Sequence, residues 1–141
     1  MRNRIFFAAA AATGIGLLAT GCTAGNDDVV VVSPNAPLAS TLTVDWTVDG
    51  TKDPSTCRLS GANVIEISVE DRAGNEVGAF QQTCEAFATS ITLNAGSYAA
   101  YAVMLDVNGQ TRTTEIAISP FTLRGNDELV IPIEFPADSF F

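Results

Sequence analysis

Residues 40–49 alternate without exception. Leu42, Val44, Trp46 and Val48 fall on one side of an extended chain, and Thr41, Thr43, Asp45, Thr47 and Asp49 on the other. A period of two means a strand with one buried and one wet face. The pattern returns at 64–70, with Ile65, Ile67 and Val69 inward, and the turn Asp71-Arg72-Ala73-Gly74-Asn75 follows. It returns at 76–84, which sets Phe80, Gln82 and Cys84 on one side, and again through Phe87, Thr89, Ile91 and Leu93. Residues 98–107 are apolar on both faces, the mark of a central strand. Asn108-Gly109 then predicts a type I′ hairpin. The return strand at 110–118 carries Arg112, Thr114, Ile116 and Ile118 on one face and ends at Pro120. Leu129, Ile131, Ile133 and Phe135 mark a last strand, whose Pro132 belongs on an edge or in a bulge. The one helical signal is short: Asp53 as N-cap, Pro54 at the first helical position, and Gly61 as the stop for a turn over 54–60 that carries Cys57 and Leu59.

About seven short strands with turn signals between them predict an all-β fold, an antiparallel β-sandwich over residues 40–136 with one helical turn and a tail at 137–141. Leu93-Asn94-Ala95-Gly96-Ser97-Tyr98, then Leu105-Asp106-Val107-Asn108-Gly109, resembles the Leu-x-x-Gly-x-Tyr strand entry and following hairpin of carboxypeptidase-regulatory, Cna-B and transthyretin-like sandwiches. The resemblance implies the fold and says little about activity. An immunoglobulin domain proper fits less well, since its core tryptophan lies between the two cysteines and Trp46 precedes both Cys57 and Cys84.

The amino end reads differently. Arg2 and Arg4 precede an uncharged stretch at 5–21 whose apolar centre is broken by Gly14 and Gly16, the order of a secretory signal. It is shorter than a membrane-spanning helix needs. Leu18-Ala19-Thr20-Gly21-Cys22 resembles the lipobox of bacterial lipoproteins, with Ala19 where leucine is usual. That resemblance implies cleavage before Cys22, a diacylglycerol on its thiol and acylation of the new amino group. Two or more acyl chains hold a soluble domain stably on a bilayer, where one binds only marginally. Thr23, in place of aspartate, implies delivery to the outer membrane. Residues 22–39, with Gly25, Asn26, Asp27, Asp28, Pro34 and Pro37, read as a tether. The four valines at 29–32 read either as an added edge strand or as an apolar patch near the bilayer.

Removing residues 1–21 from the 141-residue chain leaves 120, enough for one modest core. Lys52, Arg58, Arg72, Arg112 and Arg124 then stand against sixteen acidic side chains, a net charge of −11 that repels nucleic acid and anionic headgroups. With Cys22 given to lipid, Cys57 and Cys84 remain, and export to an oxidising compartment predicts their disulfide.

The chain has no histidine, which removes Ser-His-Asp and Cys-His nucleophile activation and the commonest transition-metal ligand. The carboxylate neighbours Asp27-Asp28, Glu70-Asp71 and Asp127-Glu128 lie in or beside loops and read as solvated turn residues rather than a glycosidase-like pair. Asp45, Asp49 and Asp53 match no calcium-loop spacing. Trp46, on the apolar face of its strand, reads as core, packed near the disulfide, rather than as a sugar platform. Phe140 and Phe141 either dock on a partner or fold back onto the sandwich.

These readings predict a non-catalytic envelope lipoprotein without metal or cofactor. It would be held by membrane lipid through acylated Cys22 and would display a module that binds or assembles with an envelope protein. A surface protein binding sugar, peptide or calcium is the alternative, and a carboxylate-dependent hydrolase comes third.

Overall fold

A computed structural model describes residues 37–141. The leader, Cys22 and the valines at 29–32 lie outside the described residues. Seven strands form two sheets. One has three strands in the order β4-β1-β7, built from β1 (Ala39–Val48), β4 (Ala88–Asn94) and β7 (Glu128–Phe135). The other has four in the order β3-β2-β5-β6, built from β2 (Val64–Asp71), β3 (Glu76–Thr83), β5 (Gly96–Leu105) and β6 (Ile116–Leu123). The facing sides make one core. Leu42, Val44, Trp46 and Val48 from β1 meet Ile65, Ile67 and Val69 from β2 and Ala100, Ala102 and Met104 from β5, all buried. The strict alternation of β1 and β2 reappears in full as burial.

One pairing departs from the antiparallel expectation: β1 runs parallel to β7, Thr41 opposite Glu128 and Val48 opposite Phe135. The other pairings are antiparallel. β7 is an edge strand and Pro132 sits opposite Asp45 on it, where a missing N–H costs no ladder bond. β5 is internal, between β2 and β6.

Two expectations are corrected. The return strand does not occupy 110–118 and stop at Pro120. β6 is Ile116–Leu123 and runs through the proline, because the register slips between Tyr98 and Ala100, leaving Ser119 and Pro120 opposite the single residue Ala99. Such a bulge on an edge strand tolerates proline. Upstream, Thr113 turns inward and is 1% exposed, its Oγ1 accepting the N–H of Met104, so the even-numbered face read from the sequence does not form there. Nor is Asn108-Gly109 a type I′ turn, since Gly109 has φ +76 but Asn108 is not left-handed. Gly109 donates to the Asp106 carbonyl, Asp106 donates to that of Gln110, and the Asp106 carboxylate accepts the N–H groups of Asn108 and Gln110. This is a type I turn followed by a left-handed glycine. The turn at Asp71 to Asn75 repeats it, with Gly74 at φ +78. Among the described residues the type I′ turn is Asp49-Gly50, with φ 49 and 72.

Candidate interaction surface

The chain crosses between the sheets four times, and the sequence dictates a different device at each end of the sandwich. At the end where β1 finishes, helix α1 (Pro54–Leu59) carries the chain from β1 to β2, and a 3-10 turn at Cys84–Ala86 carries it from β3 to β4. Asp53 starts α1 by accepting the N–H of Ser55 at 2.8 Å, which holds its carboxyl below the usual carboxylate range, and Gly61 ends it at φ +70. Cys57 on the helix bonds Cys84 on the turn, with Cα atoms 6.0 Å apart, so the expected disulfide locks the two crossings together. Trp46 is fully buried beneath them, and its Nε1 donates to the Cys84 carbonyl at 2.9 Å. It belongs to the core, as its strand face implied.

At the opposite end, where the described chain begins, hydrogen bonds do this work. The Tyr98 hydroxyl donates to the Asn94 carbonyl at 2.8 Å across the β4 to β5 crossing, a tyrosine corner. Its ring lies over Gly96, where a Cβ would stand 3.0 Å from the hydroxyl, and that accounts for the Gly-x-Tyr spacing. The β6 to β7 crossing is tied to the start of β1: Ser40 Oγ donates to the Arg124 carbonyl and Asn126 donates to that of Ala39.

Among the described residues the three most exposed large apolar side chains stand at the braced end, while Val130 on β7 and Leu38 at the opposite end are exposed to a lesser degree. Leu59 is 86% exposed, Val107 78% and Phe141 66%. The final residues fold back: Phe140 bridges Thr113 and packs on the core, Ser139 accepts from the N–H of Thr114, and Phe141 alone of the pair points away. A groove of about 310 Å³ runs between α1 and this tail, lined by Val48, Thr56, Leu59, Ala137 and Phe140. A second hollow of about 500 Å³ lies on the other side of α1, between Arg58, Asn63, Glu85 and Val107. Arg58 pairs with Glu85 at 2.7 Å across its rim. At the opposite end a cleft of about 490 Å³ is lined by Glu70, Arg72, Ser97, Tyr98, Phe121 and Thr122.

The carboxylates have local duties. Asp71 accepts the side-chain amide of Asn75 and two backbone N–H groups, and Asp106 accepts two backbone N–H groups, led by that of Gln110, which holds both below the usual carboxylate range. Asp127 accepts the N–H of Arg124. One member of each described carboxylate pair is therefore tied to backbone. Asp45 pairs with Lys52, and Asp49 forms its hairpin. Among the described residues no three acidic or cysteine side chains gather as a metal site would require, and no helix is long and apolar enough to cross a membrane.

No protein-family model matches the chain. No curated protein matches it. Among solved structures, it is similar to part of the Bacillus anthracis TIE protein, at 15% identity over 69% of this chain and 17% of that one, with a TM-score of 0.46. It is also similar to part of a leucine-rich repeat protein from Bacteroides thetaiotaomicron, at 11% identity over 71% of this chain and 12% of that one, with a TM-score of 0.44. The chain thus spans less than a fifth of either protein.

Proposed function

We propose that this chain is an exported, lipid-anchored and non-catalytic envelope protein whose disulfide-braced end docks a protein partner. The carrying observation is the polarity of the sandwich. The described chain begins at residue 37, at the end opposite the disulfide, while Leu59, Val107 and Phe141, the most exposed large apolar side chains, stand out at the braced end. Apolar side chains exposed beside grooves, as Leu59 and Val107 are, mark interaction sites. The leader, the lipobox and Thr23 support export and an anchor in the outer membrane. The lack of histidine and the engagement of the turn carboxylates support a role without turnover.

The test has two parts. Mass spectrometry of the protein from its native membrane should find a diacylglycerol adduct on Cys22, and Cys22→Ala should release it. A photo-crosslinker at Leu59 or Val107 should capture one envelope protein that a crosslinker at Thr43, on the far sheet face, does not. Equal capture at all three positions, or turnover of a substrate by the purified domain, overturns the reading. The 490 Å³ cleft falls within the size range of small-molecule pockets and favours the second reading, a ligand-binding surface protein. A melting temperature raised by a sugar would support it.

A further inference from the structure

The four strand edges of the sandwich are not equally protected. Exposed edges invite added strands, and proteins blunt them with proline, charge or bulges. On one flank β6 carries Pro120 in a bulge, and β7 carries Pro132 with Glu128 and Glu134. On the other flank, β3 has a bulge at Val77, where the register shifts between Glu76 and Gly78, but from residue 78 to residue 83 it pairs regularly and has neither proline nor charge. Val77, Ala79 and Gln81 are exposed along it, and Phe80 is only half-buried.

Beside this open edge the charge is one-sided. β2 and β3 together carry Glu66, Glu70, Asp71 and Glu76 and no lysine or arginine. Glu70 stands directly opposite Glu76 across the pair, a like-charge arrangement that destabilises a sheet. The two ion pairs among the described residues are Lys52 with Asp45 and Arg58 with Glu85, so neither reaches these glutamates, and Glu66 accepts only the neutral side-chain amide of Gln81 at 2.6 Å. β4 is also uncharged, but β1 beside it brings only Asp45, already paired with Lys52.

We infer that the β3 edge accepts an extended segment of a partner protein as an added strand, with lysine or arginine side chains four residues apart on the face shared with Glu66 and Glu70. Main-chain bonds to β3 would supply affinity, and the cations would supply specificity by offsetting the Glu70–Glu76 repulsion. The four-residue interval follows from β2: Glu66 and Glu70 share a face and lie about 13 Å apart at strand rise.

The probe is an end-blocked heptapeptide of threonine and valine with lysines at its second and sixth positions. It is titrated into the chain from residue 22 onward, carrying Cys22→Ser, while amide shifts are followed. Shifts should concentrate in residues 76–83. The glutamate version of the peptide should bind at least about tenfold more weakly by the sign of the charge alone. Ala79→Pro, which removes an edge donor, should abolish the shifts while amides at the braced end stay in place. Should that variant unfold, the pair Glu66→Gln and Glu70→Gln provides the check, weakening the lysine peptide several-fold without loss of melting temperature. Equal binding of the two peptides, shifts centred on β4 or on α1, or undiminished binding by the glutamine variant would overturn the inference.

Discussion

The two ends of the sandwich solve one problem with different chemistry. Each must carry the chain twice from one sheet to the other. At the braced end the connections are long enough to hold a helix and a 3-10 turn, and a covalent bond fixes them. At the other end they are a few residues each, and a tyrosine hydroxyl, a serine hydroxyl and backbone amides suffice. Separation along the sequence does not set the choice, since a hydroxyl ties Ser40 to Arg124 across 84 positions and the two cysteines lie 27 apart. What differs is the longest crossing: residues 49–63 have more chain entropy to lose than residue 95 or residues 124–127, and the disulfide pins that crossing.

The largest expected effect tests that claim directly. Replacing both cysteines, Cys57→Ala with Cys84→Ala, should cost about 3.5 kcal/mol in the chain-entropy account, read as a lower denaturant midpoint. A loss under about 1 kcal/mol would show that the braced end holds without its bond. Next, Trp46→Phe keeps a ring in the core but removes one of the two donors to the Cys84 carbonyl, which retains the Phe87 N–H, and leaves a space where the larger ring stood, at about 2 kcal/mol together in the same measurement. At the opposite end, Tyr98→Phe should cost about 1 kcal/mol. Combined with Trp46→Phe it should be additive within about 0.5 kcal/mol, because the two share no partner. A larger coupling would mean that the ends act as one unit.

The smallest effect concerns the matched turns. Asp71 and Asp106 have folded-state pKa values lowered by the N–H groups they accept. A depressed carboxyl contributes stability above its unfolded value of about 3.9, and that contribution is lost as the pH falls through the folded value. The melting temperature should therefore drop on acidification below about pH 4. Asp71→Asn and Asp106→Asn should each flatten that drop, Asp71→Asn the more, since Asp71 also accepts the side-chain amide of Asn75. Equal flattening would show that this amide adds nothing.

Much of this was legible from alternation. β1, β2 and the central β5 appear where the period-two pattern puts them, because a one-residue slip would turn Leu42, Val44 and Trp46 out of the core. Asp53-Pro54 and Gly61 bracketed α1, and the cysteine count gave the disulfide. What failed was non-local. Residues 111–115 take their course from the carboxyl-terminal segment, with Thr113 bridged to Phe140 and Thr114 donating to Ser139, and no local pattern encodes that neighbour. Asn108-Gly109 misled because the Asp106 side chain captures two backbone donors and sets a different turn. The outward cluster at the braced end was missed as well. Leu59 and Val107 looked like ordinary apolar residues of a helix and a strand, and only the end of β5 at Leu105 leaves Val107 bare.

The parallel pairing of β1 with β7 has a kinetic meaning. Thr47 and Glu134 bond side chain to side chain across 87 positions of sequence, so the first strand to leave any exit channel waits for the last. Until then one flank of β1 has no neighbour, and high contact order slows closure. Folding of this domain is therefore an event of the released chain: a nascent copy keeps Leu42, Val44 and Trp46 open to aggregation or to a chaperone until Phe135 is through.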